Sequence, residues 1–173
     1  MIEHLEATNH AAALEAVFNG EFAGPITERA IKELHRMILQ GIRSDAGSYS
    51  KHHRALRGVD LKLPAPEDIV EEMGHLLKRI NVPKGHMVEH AAKMHSIFEA
   101  IHPFGDGNGR VGRLIMIIQL LNAGYAPCII ESSRKAEYYE ALEFAQKRSG
   151  THLVKFIVEC IGRGYHIIKK HHK

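Results

Sequence analysis

"IHPFGDGNGRVGRLIMIIQLLNAG", residues 101–124, sets a polar, glycine-rich loop against the most apolar run of the chain. From Leu114 onward apolar residues fall on nearly every side of a 3.6-residue period. That pattern predicts a helix covered by protein all round, lying in the middle of a core. Pro103 disfavours the α region at the residue before it, so a preceding helix should end near His102. The polar loop therefore joins one helix that has ended to a buried one that begins.

Such a junction has a chemistry of its own. A helix N-terminus presents unpaired N–H groups and carries partial positive charge. Gly105, Gly107 and Gly109 have no Cβ, so oxygens of a ligand can come close to the backbone. Together these features make an anion nest suited to phosphate. Arg110 and Arg113 are three apart in the first turns and share a face, where two guanidiniums can grip different phosphates of one polyphosphate. Asp106 offers a hard oxygen to Mg²⁺, and Asn108 can donate to a phosphate or shape the loop. His102 stands just before the nest, where a neutral imidazole can take a proton from a hydroxyl. Gly, Asp and Asn are common in plain turns. It is their combination with a histidine and two arginines that points to a site. The Gly-Lys-Ser/Thr ending of a Walker loop is absent.

Outward from this centre the chain reads as further helices. Residues 27–41 carry Ile31, Leu34 and Ile38 on one face, with Thr27 as N-cap and Gly41 as stop. Residues 65–80 open with Pro66 and acids and carry the stripe Ile69, Met73, Leu76, Leu77 and Ile80. Residues 86–101, 135–148 and 151–170 are helical in pattern, and 2–18 can add one more. Residues 44–66, "SDAGSYSKHHRALRGVDLKLPAP", lack that periodicity. There "RGVD" reads as a turn between two short extended pieces, a two-stranded hairpin. A long irregular segment in a compact domain is often functional.

The whole chain sets the limits. Its 173 residues suit a single domain, residues 1–173, and 45% hydrophobic content excludes disorder. A net charge of +3, spread along the sequence, speaks against a DNA or RNA partner. No run is long enough to span a bilayer. Cys128 and Cys160 fit no metal motif and read as buried thiols of a reducing compartment, with a cytoplasmic location as the expectation. Among the 14 histidines, His86 and His90 are four apart, without the His-Glu-x-x-His pattern. His95 falls on the apolar side of its helix and reads as a core histidine.

"HPFGDGNGRVGR" resembles the signature of the Fic family, His-x-Phe-x-Asp/Glu-Gly-Asn-Gly-Arg-x-x-Arg, at every fixed position. The similarity extends from "GIRSDAGSYS" through "LPAPEDI" and "AAKMHSIFEAIHPF" to "AGYAPCII" and "EYYEAL". It implies an all-α Fic-fold domain with a small β-hairpin flap in 44–66, and a protein adenylyltransferase that moves AMP from ATP, with Mg²⁺, to a Ser, Thr or Tyr hydroxyl of a target protein. By the same resemblance His102 would be the general base and Phe104 a buried anchor. Asp106 would hold Mg²⁺, and Gly107, Asn108 and Gly109 would form the anion hole. Arg110 would bind the α/β region, Arg113 the γ-phosphate, and Tyr139 would sit near the adenine. Residues 1–20 would be an inhibitory helix whose Glu15 competes for Arg113, although Ala11 and Ala16 replace the family's Ser/Thr and Gly/Asn. The sequence leaves open another nucleotide-type donor, removal of AMP, a nucleotide-binding regulatory module, and assembly as a homo-oligomer.

Overall fold

The computed structural model describes residues 2–55 and 61–171, without the side chains of 166–171. The described residues form seven α-helices: α1 (Ile2–Phe18), α2 (Glu28–Leu39), α3 (Ile69–Ile80), α4 (Met87–Ile101), α5 (Asn108–Asn122), α6 (Lys135–Lys147) and α7 (Thr151–His171). Short 3₁₀ turns, Pro66–Asp68 and Ser132–Arg134, lead into α3 and α6.

Local chemistry accounts for the ends. Thr27 caps α2, its hydroxyl accepting the Ala30 N–H at 3.1 Å, a contact worth about 1 kcal/mol. His86 caps α4 through Nδ1, which accepts the Val88 N–H at 3.3 Å. α4 stops at Ile101, one residue before the X-Pro pair, and His102 turns the chain with φ 51° and ψ 57°. Two asparagines at helix ends clip the loop before α2. Asn81 exchanges hydrogen bonds with the Ile26 backbone at 2.8 and 2.8 Å, and Asn122 does so with Gly24 at 3.1 and 2.8 Å.

The antiparallel pair α4–α5 is the axis of the molecule. On one side α1, α2 and α3 pack against it through residues such as Leu34, Met73, Phe98 and Leu114. On the other, α6 and α7 close over Val88, Met116, Leu120, Tyr138 and Phe156. A helix covered on both sides has no polar face to spare, which is the reason α5 reads as apolar all round. Close approach of the pair depends on Gly112, where a Cβ would run into the Glu99 carboxyl and the Phe98 ring. The loop joining α4 to α5 is the signature stretch, so it hangs from the two best-packed helices.

The segment between α2 and α3 departs from the expected hairpin. Residues 44–55 and 61–65 contain no strand, and the proposed turn at 56–60 lies outside the described residues. The arms are tied by a side chain instead of a backbone ladder: Arg54 Nη2 donates to the Pro64 carbonyl at 2.9 Å. The first arm is also bonded elsewhere, with the Ser50 N–H donating to the Pro103 carbonyl at 2.9 Å. Cys128 and Cys160 are free and buried, as their neighbours suggested. His95 is a core residue whose Nε2 meets the Tyr138 hydroxyl at 2.7 Å.

Candidate functional site

The loop is held from inside by Asn108. Its Oδ1 accepts the Phe104 N–H at 2.9 Å and its Nδ2 donates to the Phe104 carbonyl at 2.8 Å. Both bonds are buried, so leaving either group unpaired would cost on the order of 1–3 kcal/mol. Asn108 therefore shapes the nest with its side chain and leaves its backbone to face outward. Phe104 is fully buried, as the resemblance implied for an anchor.

His35, on the apolar stripe of α2, completes the lock. Its ring stacks on Phe104 with centroids 3.7 Å apart and planes within 8°. Gly47 N–H donates to Nδ1 at 2.8 Å, so the proton sits on Nε2, which donates to the Asp106 carbonyl at 3.1 Å. One neutral imidazole thus ties α2, the segment after it and the loop together. Burial pushes its pKa below the ordinary value, and the Asp106 carbonyl opposes that. Sequence reasoning passed over His35; the signal was a histidine four residues after Ile31 on a buried stripe.

Gly107 begins α5 with φ 76° and ψ 0°, a backbone shape open to glycine. The N–H groups of Asn108 and Gly109 at the first turn have no partner among the described residues. That is the donor set an anion needs. Asp106 is half exposed; its Oδ1 accepts the Gly107 N–H at 2.6 Å and stands 3.7 Å from Arg110 Nη2. Its other oxygen carries no bond to a described residue. One open carboxylate oxygen beside a phosphate nest fits Mg²⁺, which keeps most of its shell as water and phosphate oxygens.

His102 is the one non-glycine residue with positive φ among those described, a shape that costs of order 1–3 kcal/mol. The turn aims the ring into an open cleft of about 590 Å³ between the loop and residues 43–55. Nδ1 is buried on the side of the Glu99 carbonyl, and the ring lines the cleft. Burial lowers the His102 pKa and the Arg54 charge adds to this, while the Glu99 carbonyl and Asp106 oppose it. The ring is neutral at pH 7 and can accept a proton.

The two arginines differ. Arg113 lies back along the helix, with Nη1 3.3 Å from where a Cβ on Gly109 would stand. Its guanidinium is 6.0 Å from the Tyr138 ring centre. No carboxylate pairs with it among the described residues. The acid that senses its charge is the buried Glu99, whose carboxyl burial keeps largely protonated below neutrality, so the guanidinium is held in no salt bridge and can take an anion. Arg110 is already engaged: Nη1 meets Glu6 Oε1 of α1 at 3.0 Å.

The acid of α1 that this structure brings to the signature arginines is Glu6, nine residues before the Glu15 of the expectation. Glu15 is exposed, and the structure does not bring it to Arg113. Glu6 and Glu15 are nine residues apart, two and a half turns, and so point to opposite sides of α1. The inward side carries Glu6, His10, Ala13 and Val17. His10 lies near both arginines: burial lowers its pKa first, then the charges of Arg113 and Arg110. No local pattern could have singled out Glu6, because its partner is 104 residues away. Tyr139 is exposed on α6, its ring 5.2 Å from that of buried Tyr138. This places it one ring beyond the residue that flanks Arg113.

Comparison with known proteins follows the same lines. The model of the Fic/DOC family matches residues 25–120. The protein adenylyltransferase Fic of Aedes aegypti is 34% identical over 141 residues, covering 80% of this chain, and that of Drosophila melanogaster is 34% identical over 138, covering 78%. The chain spans 28% of the length of each. A Fic domain containing signaling protein from Bacteroides thetaiotaomicron superposes with a TM-score of 0.80 at 28% identity, over 92% of this chain and 69% of that one. Fic-1 of C. elegans gives 0.81 at 25% identity, over 96% of this chain and 51% of that one. BepC from Bartonella tribocorum, solved with bound AMPPNP, gives 0.68 at 17%, over 91% of this chain and 86% of that one, a likeness of fold alone.

Proposed function

The chain belongs to the Fic/DOC family, and from that premise we propose that it transfers AMP from ATP to a Ser, Thr or Tyr hydroxyl of a target protein. The observation that carries the reading is the pairing of a neutral His102 on an open cleft with an uncommitted helix N-terminus and an Arg113 held in no salt bridge among the described residues. The mosquito and fly relatives are named for this reaction, and BepC binds an ATP analogue in the same fold.

In the proposed reaction His102 Nε2 takes the proton of the acceptor hydroxyl. The hydroxyl oxygen bonds to the α-phosphorus, the bond from that phosphorus to the bridging oxygen breaks, and pyrophosphate leaves. The N–H groups of Asn108 and Gly109 stabilise charge on the phosphate oxygens, with Arg110 on the α/β region and Arg113 on the γ-phosphate. Asp106 would hold Mg²⁺, which supplies charge neutralisation on those phosphates. Tyr139 would flank the adenine. An acceptor segment would add to residues 44–66 as a strand, and a pairing of the arms around 56–60 would form with it. Two free thiols suit a reducing, cytoplasmic setting. α1 would restrain the site through Glu6, which must release Arg110 before a polyphosphate takes its place.

Incubation with α-labelled and, separately, γ-labelled ATP and a cell lysate tests the reading. Label transferred from the α position alone, and lost in His102→Ala, supports it. Transfer of the γ label would mean a kinase-like reaction, and nucleotide binding without transfer would mean a regulatory module. Either outcome overturns it.

A further inference from the structure

The cleft in front of His102 has a charge pattern that bears on which hydroxyl it accepts. Its wall is built from residues 43–55 together with His102 and Gly105. Three permanent cations line it, Arg43, Lys51 and Arg54, against one acid, Asp45. Arg43 and Asp45 cancel, because Nε and Nη2 bind the two carboxylate oxygens at 2.8 and 2.9 Å. Two positive charges remain, with no carboxylate to answer them among the described residues.

Arg54 is the more telling of the two. Its Nη groups donate only to carbonyls: Pro64 at 2.9 Å, His52 at 3.3 Å and Ile101 at 3.5 Å. Its Nε is buried and has no partner. Burial alone shifts its pKa, downward, and no acid offsets it. A partly buried guanidinium held only by carbonyls keeps its full charge on the cleft wall, where no counter-ion screens it at close range. It also touches the carbonyl of Ile101, next to the base. Lys51 is exposed and extends the positive field to the mouth.

We propose that this cleft selects an acceptor whose hydroxyl is flanked by acidic residues, an Asp- or Glu-rich protein segment, its carboxylates seated toward Arg54 and Lys51. The proposal rests on the AMP-transfer reading only for the fate of the hydroxyl; the charge preference belongs to the cleft. A negative segment is drawn in by the field, while a lysine-flanked hydroxyl meets like charge.

Binding and transfer test it separately. Short labelled peptides carry one tyrosine flanked by Glu, by Gln or by Lys. Binding is read by fluorescence anisotropy without nucleotide, and AMP transfer by kcat/KM with ATP and Mg²⁺. The Glu peptide should exceed the Gln peptide by about five- to tenfold in both readouts. The margin should shrink as ionic strength rises from about 0.01 M to about 1 M. Lys51→Glu, a change at an exposed side chain, should erase the margin or reverse it. Lys78→Glu, outside the cleft on α3, should leave it intact. Equal handling of Glu and Gln peptides, a margin indifferent to Lys51→Glu, or no measurable binding of any peptide overturns the inference. A short DNA oligonucleotide that outcompetes the Glu peptide does so too, since the surface would then be a general polyanion site. Acidic preference in binding with no AMP transferred would leave the inference standing and remove the transfer reading. Equal transfer to all three peptides would do the reverse.

Discussion

The two walls of the cleft are built on different terms. The inner wall, the loop from His102 to Arg113, hangs between two buried helices and is fixed by Asn108, Phe104 and His35, each nearly or fully buried. The outer wall, residues 43–55, is mostly exposed and tied at a few points, Ser50 to Pro103, Gly47 to His35, Arg54 to Pro64. On the proposed reading the inner wall carries the reaction at phosphorus, which tolerates little misplacement, and its groups are over-determined. The outer wall would carry recognition of a partner, which tolerates more, and its groups sit where substitution costs little stability. The contrast predicts that changes to the inner wall stop chemistry or loosen the fold, and changes to the outer wall alter which acceptor is used.

The hardest test of the inner wall is His102→Ala. AMP transfer should fall by about 10²–10⁴-fold, the usual contribution of a positioned base, measured as single-turnover labelling from α-labelled ATP. The strained φ of 51° is relieved no further by alanine than by histidine, so the melting temperature should hardly move. A variant that keeps its activity would assign the base elsewhere.

Asn108→Ala should separate shape from charge. Two buried hydrogen bonds to Phe104 are lost, a cost of about 2–6 kcal/mol if both Phe104 groups are left unpaired. In a domain of this size that lowers the melting temperature by about 4–24 °C, read by calorimetry. Nucleotide affinity should fall as well, because the freed backbone no longer holds the Asn108 and Gly109 N–H groups in place. Unchanged stability would mean that Asn108 is a ligand contact and not the loop's staple.

This difference also explains what could be read in advance. The helices were legible because their stripes, caps and Pro103 are local signals: 27–41 became Glu28–Leu39, and 86–101 became Met87–Ile101. The loop was legible because glycines, an acid and two cations fall together within a short stretch. The locks were not, since His35 meets Asp106 across 71 residues and Glu6 meets Arg110 across 104. Sequence spacing carries no information about such contacts. Glu15 was favoured because it matched a pattern by position, while the face of α1 that turns inward depends on how Asn9 docks on α2. Its Nδ2 donates to the Ile38 and Gln40 carbonyls at 3.2 and 2.9 Å. The expected hairpin rested on a turn whose residues, 56–60, lie outside those described.

The core beneath the inner wall should respond to pH in two directions. Burial lowers the His95 pKa to about 4. Between about pH 6.5 and 4 the unfolded chain binds a proton there that the fold refuses, so its contribution is present above 6.5 and is lost as pH falls. Glu99 works the other way. Burial raises its carboxyl to about 7, so between about 4.5 and 7 the folded chain holds the extra proton and this term weakens as pH rises. Each amounts to about 1–3 kcal/mol at the favourable end. Melting temperature against pH should therefore flatten on the acid side in His95→Gln. In Glu99→Gln it should lose the penalty above pH 7. Parallel curves for all three proteins would mean that neither group is held away from water.

The smallest expected effect tests the boundary of the inner wall, where α1 meets Arg110. The Glu6 pair is partly exposed, with a third of the Glu6 side chain open to solvent, so breaking it releases about 0.2–1 kcal/mol. Glu6→Gln should lower KM for ATP by about 1.4- to 5-fold with little change in kcat, because Arg110 no longer has a carboxylate to surrender. Glu15→Gly should not reproduce this, since that residue points away from both arginines. If instead Glu15→Gly raises auto-modification and Glu6→Gln does not, α1 must rotate by about half a turn in the active protein, exchanging one acid for the other. The restraint would then depend on a second position of the helix.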